Sequence, residues 1–142
     1  DNPQPRKFFK NPIYSWIVIF ELLAILVFIK IARYDIKYHL IKNIDLIILL
    51  LILLPIYRSN WRISLLSLGI YLFLNIIGGG KIGSGDIKLS FICAMPLGSY
   101  FDLFNALSIT WIIGGIYVLF RRSKSVAFAP FMIIGTYISK IL

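Results

Sequence analysis

The chain has very little that is polar. Of its 142 residues only 15% are charged, against 59% hydrophobic, and the mean hydropathy is +0.86. A water-soluble domain of this length needs far more polar surface, so a soluble globule is excluded and a membrane class follows. Cys93 is the only cysteine, which rules out an internal disulfide and any CxxC zinc site. In its apolar surroundings it reads as a small buried hydrophobe. His39 is the only histidine, so a His-rich metal cluster is not expected, and no cofactor is called for. No internal repeat or low-complexity segment is present beyond the aliphatic bias.

What is present in excess is positive charge, a net +9. The Lys and Arg residues sit mostly at the edges of apolar runs, where they flank membrane segments and snorkel to the headgroups. Membrane lipid, and not nucleic acid, is therefore the expected partner. Because the chain begins with Asp1 and not Met, something upstream is expected to have been removed by processing or at a chain boundary. Residues 1–12, with three prolines and Arg6, Lys7 and Lys10, read as a polar, non-helical arm too charged for a signal-peptide core.

A crossing helix needs about 20 residues. Apolar runs extend over Ile13–Ile31, Ile44–Tyr57 (lengthened if Leu40–Asn43 join it), Ile63–Ile77, Ile87–Leu97, Leu103–Phe120 and Val126–Leu142. The expectation is an all-α, polytopic bundle of about six transmembrane helices over residues 13–142. With that parity, the loops at 33–42, 78–86 and 121–125 share one side. Counting Lys30 and Lys88 with them, that side carries nine basic residues and the other six, so it is placed in the cytoplasm. The expected location is the plasma (inner) membrane.

Six acidic residues remain: Asp1, Glu21, Asp35, Asp45, Asp86 and Asp102. Each one inside or beside a membrane segment costs a few kcal/mol, roughly, and requires a reason. Solvation in the arm and in a turn accounts for Asp1 and Asp102. Asp45 falls in the first turn of the second helix, where it complements the helix dipole, with Asn43 as a possible cap. Glu21 reads as hydrogen-bonded within the bundle, with a proton-carrying role as the alternative. Asp35 and Asp86 are expected at the cytoplasmic ends of two segments on the same side. Asp86 follows Gly83-Ser84-Gly85, and glycine lets the backbone approach a neighbour closely. Alone, Asp86 would be a helix cap after a glycine turn. As a pair, two adjacent carboxylates can share one proton, the charged one activating water and the protonated one donating to a carbonyl oxygen. That chemistry needs neither metal, serine nor histidine.

The surrounding runs resemble those of the type IV prepilin peptidases and the related preflagellin peptidases. Ile82-Gly83-Ser84-Gly85-Asp86-Ile87-Lys88 is similar to the family's GxGD-x-K signature. Asp35-Ile36-Lys37 through Lys42-Asn43 is similar to its first-aspartate motif, and Phe128-Ala129-Pro130-Phe131 with Gly135 to its C-terminal helix motif. Lys42 stands where the family has proline, Ala129 where it has glycine, and the paired CxxC motifs linked to N-methylation are missing. The resemblance implies an aspartic endopeptidase with Asp35 and Asp86 catalytic and Gly83, Gly85 and Lys88 supporting the active-site loop. It acts on pilin-like precursors, removing a short basic leader ahead of a hydrophobic helix, and methyl transfer is not carried over. Lys88 either orients a carboxylate or carbonyl or simply snorkels, the latter being preferred. Gly78-Gly79-Gly80 would form a mobile gate. Alternatives are a presenilin- or signal-peptide-peptidase-like protease, suggested by Tyr34-Asp35 and the GxGD run, a non-catalytic membrane subunit, and a small transporter using Glu21.

Overall fold

A computed structural model describes residues 12–122 and 125–142. The polar arm therefore lies outside the described residues, apart from Pro12. Six α-helices are described: α1 (Pro12–Tyr38), α2 (Asn43–Tyr57), α3 (Trp61–Ile77), α4 (Ser84–Ala94), α5 (Tyr100–Arg121) and α6 (Ala129–Ile141), with a 3₁₀ turn at Arg58–Asn60 between α2 and α3. The fold is an all-α, membrane-spanning helix bundle. Among the described residues, three helical stretches are long and apolar enough to cross a membrane: Pro12–Tyr38, Asn43–Ile77 and Tyr100–Arg121. The middle stretch contains both α2 and α3.

Side-chain ties give the direction of each helix. Lys88 near the start of α4 donates to Asn43 at the start of α2 (3.2 Å). At the other end, Asn60 donates to the Met95 carbonyl just past α4 (2.8 Å). Thus α2 and α4 run the same way, and the chain reverses at Arg58–Asn60 so that α3 returns alongside α4. Ser139 late in α6 donates to the Asp102 carbonyl in the first turn of α5 (2.6 Å), making that pair antiparallel.

Several boundaries differ from the sequence expectation, for physical reasons. The first helix continues past Arg33 to Tyr38, since nothing in Tyr34-Asp35-Ile36-Lys37 breaks a helix, and it stops only where His39 turns left-handed (φ 51°). Asp35 is accordingly a helical residue and not a loop residue. The fourth helix starts at Ser84, not Ile87, and its 11 residues span only about 16 Å. Pro130 lies at the start of α6, where its missing N–H is harmless, and not inside the helix.

The core is built by one stripe from each helix. On α1 it is Ala24, Phe28, Ile31 and Asp35, spaced at helical intervals. Leu46, Leu49 and Leu53 of α2, Leu89, Ile92 and Cys93 of α4, and Met132 of α6 meet it. The outer faces remain apolar: Leu26, Leu51, Phe73 and Ile112 are all more than half exposed. Lipid and protein offer similar apolar surroundings, so close packing and interhelical hydrogen bonds hold such helices together. Ser67 of α3 donates to the Ser90 carbonyl of α4 (3.1 Å), and Thr136 of α6 to the Cys93 carbonyl (3.2 Å).

Candidate active site

The last turn of α1, the first turn of α4 and the start of α6 converge at one end of the bundle. Asp35 is there because it continues the buried stripe of α1, and only 4% of it is exposed. A carboxylate in that position needs a donor. Oδ2 of Asp35 accepts a hydrogen bond from the Ala129 N–H at 3.0 Å. This amide belongs to the first residue of α6, one of the donors that a helix leaves without an internal partner.

Asp86 is placed by glycines for steric reasons. Gly83 precedes α4 in an extended conformation (φ −63°, ψ 143°), so no left-handed backbone is required. A Cβ at Gly83 would lie 3.3 Å from Oδ2 of Asp86, and one at Gly85 only 3.0 Å from Cβ of Ile41. Each glycine thus opens space, at Gly83 for the carboxyl itself and at Gly85 for the α1–α2 connection. The left-handed glycines are Gly79 (φ 70°) and Gly80 (φ 76°), which turn the chain out of α3. Oδ1 of Asp86 is buried and has no hydrogen-bond partner among the described residues.

The two carboxyls are within electrostatic reach of one another. Asp86 lies in the first turn of α4, and the charge of Asp35 acts on it. The interior side of Asp86 faces Tyr71 and Cys93, which feel its charge. Tyr71 packs within an aromatic group with Trp111 and Phe128, whose rings are 5.1 Å apart. Beside Asp35 an open cleft of about 620 Å³ runs between the ends of α1, α5 and α6, lined by Ile36, His39, Tyr117, Arg121, Pro130 and Phe131 among others.

Lys88 does not reach the aspartates. It donates to Asn43 and ties α4 to α2. Asn43 is correspondingly the first residue of α2, not its cap, and no side chain caps that helix. Asp45 is 1% exposed and bonded to Lys30 at 2.7 Å, a partner that its place near a helix start does not reveal. Asp102 lies in the first turn of α5, its N–H bonded to the Ser99 hydroxyl (3.1 Å).

Glu21 lies fourteen residues before Asp35, about 21 Å along α1. It accepts hydrogen bonds from Tyr57 and from Lys140, the latter at 2.7 Å. This cluster joins α1, α2 and α6 at a distance from the aspartates. Among the described residues no three His, Cys, Asp or Glu side chains group together as a metal ligand set would.

Two members of the site receive no role from the sequence: the Ala129 N–H, although Ala129 falls in the C-terminal helix motif, and Tyr71. Pro130 is the available signal for the first, because a proline at a helix start marks free amides around it. The second carries none, one tyrosine in an apolar run being indistinguishable from its neighbours. No protein-family model matches the chain, and no curated protein and no solved structure matches it either.

Proposed function

We propose that the chain is a membrane-embedded aspartic endopeptidase of the prepilin peptidase kind, which removes a short basic leader from pilin-like precursors at the cytoplasmic face of the membrane. The proposal includes six crossings, with α2, α3, α4 and α6 short and α4 entering from the cytoplasmic side. What supports it is that the charge of Asp35 reaches Asp86, fifty-one residues further along the sequence.

A pair of this kind hydrolyses a peptide without a covalent intermediate. Water attacks the carbonyl carbon as one carboxylate removes its proton and the other carboxyl protonates the carbonyl oxygen. A precursor with an apolar helix suits the setting, since that helix can lie in lipid against the bundle while the peptide just before it reaches the aspartates. Around the pair the exposed side chains Arg33, Lys37, Lys81 and Arg121 are basic. The site therefore does not attract the leader's positive charges; on this reading they hold the precursor to the anionic membrane face.

Two substitutions test the supporting parts. Gly85→Ala forces a Cβ against Ile41 and displaces the start of α4 by several tenths of an ångström. Cleavage is expected to fall about tenfold or more, as small misplacements of reacting groups do, while membrane insertion is unchanged; unaltered kcat would show that this approach does not position Asp86. Glu21→Gln keeps an acceptor for Tyr57 and removes the charge opposite Lys140. Precursor cleavage in vesicles is expected to be unaffected. A protein that transports protons through Glu21 would respond to this substitution above all others, and a non-catalytic subunit would show no cleavage to begin with.

A further inference from the structure

We propose that the two aspartates have fixed and different roles: Asp35, held by the Ala129 N–H, is the ionised base, and Asp86 carries the proton and is the acid. This assignment rests on the proteolytic reading above.

The argument is one of hydrogen-bond polarity. An N–H can only donate, so the oxygen that receives the Ala129 amide at 3.0 Å presents a lone pair and not a proton. That amide opens a 13-residue helix, whose N-terminal end favours negative charge. Pro130 adds no N–H, and the Phe131 N–H is engaged by the Phe128 carbonyl (3.1 Å), leaving Ala129 as the amide directed at Asp35. Asp86 has the opposite surroundings. Its Oδ1 is buried with no donor among the described residues, which is costly for a charged oxygen and suits the protonated form. The charge of Asp35 also acts on Asp86.

The other groups facing the pair do not reverse this polarity. His39 lies one turn beyond Asp35, at the edge of the cleft beside it. Tyr71 from α3 and Cys93 from α4 face Asp86 as neutral groups. From α2, Asp45 is engaged by Lys30, and from α5, Arg121 lies over the Tyr117 ring.

The cycle then balances. Asp35 takes a proton from water as the water oxygen bonds to the carbonyl carbon, and Asp86 gives its proton to the carbonyl oxygen, forming a gem-diol. In collapse the C–N bond breaks, the nitrogen takes the proton held by Asp35, and a gem-diol hydroxyl returns one to Asp86. One water is consumed, and both carboxyls regain their starting states. Ala129 is a positioning residue that acts through Asp35.

The test replaces Ala129 in the full chain by lactic acid, an amide-to-ester change that deletes only this N–H. The variant is reconstituted in vesicles, and kcat/KM for precursor cleavage is followed against pH. Losing a donor to a carboxylate is expected to move the acid limb, which reports ionisation of the base, upward by about one to two pH units. Ala129→Gly, which keeps the N–H, should leave the limb in place. An acid limb that does not move in the ester variant overturns the assignment, whatever happens to kcat. Should the ester variant fail to insert, infrared spectra at the pH of maximal activity decide. The protonated-carboxyl band is expected to be lost in Asp86→Asn and retained in Asp35→Asn, and the reverse pattern overturns the proposal. If both Asn variants still cleave, the proteolytic reading itself fails; if both are inactive but the limb is fixed, only the roles are wrong.

Discussion

Asparagine in place of either Asp35 or Asp86 is expected to reduce precursor cleavage by at least about a thousandfold, within the range attributed to general acid and base groups. The change is nearly isosteric, so the fold has little reason to respond. In Asp35→Asn the amide oxygen can still accept the Ala129 N–H, and the buried stripe of α1 keeps its shape. What disappears is chemistry: an amide neither takes a proton from water nor supplies one to a carbonyl oxygen at neutral pH. Because the carboxyls act as a unit, the double variant is expected to be no worse than either single one. Initial rates in vesicles, with insertion checked in parallel, measure this. Rates that fall in proportion to the amount of protein inserted would mean that the aspartates stabilise the bundle and do nothing more.

Gly135→Ala is expected to have the largest effect on stability. A Cβ there would lie 2.2 Å from Oγ1 of Thr110, 2.7 Å from the Ala106 carbonyl oxygen and 3.2 Å from the backbone nitrogen of Thr110. Thr110 is already committed, donating to Ala106 at 2.7 Å. The hydroxyl could rotate away, but the Ala106 carbonyl is helix backbone and cannot. The α5–α6 contact must open, and overpacking of this kind costs about 1–3 kcal/mol, or more where backbone is the obstacle. Thermal unfolding in detergent is expected to show a clearly lowered midpoint. Adding Thr110→Ala removes the closest contact and leaves the second, so it should restore only part of the loss. Full restoration would mean that the hydroxyl alone was the obstacle.

The two glycine motifs illustrate what can be read from residues in order. Gly83, Gly85 and Gly135 stand out in the sequence, and each occupies a place where a Cβ would collide. The identity of the colliding group depends on tertiary structure: the carboxyl of Asp86, the side chain of Ile41 and the backbone of α5. The helices themselves are legible from apolar runs and their charged ends. Their inward faces are not, because a helix flanked by lipid is apolar all round and the usual contrast between faces is missing. Ala24, Phe28 and Ile31 differ little in kind from the outward-facing Leu22, Leu26 and Ile29. Only with the inward stripe known does Asp35 become its next member. Polar partners are hidden for a similar reason. Lys30 with Asp45, and Lys140 with Glu21 and Tyr57, join residues whose proximity depends on how α1, α2 and α6 are arranged, and sequence spacing alone does not supply that arrangement.

The central claim is that water is split across Asp35 and Asp86 and added to a peptide bond. It is tested most directly with the purified chain in vesicles, a precursor bearing a basic leader before an apolar helix, and water enriched in oxygen-18, followed by mass spectrometry of the products. The account requires one cut at the boundary between leader and helix, with a single heavy oxygen in the new carboxyl group of the released leader. An intact precursor under conditions where the chain is inserted and folded would contradict it.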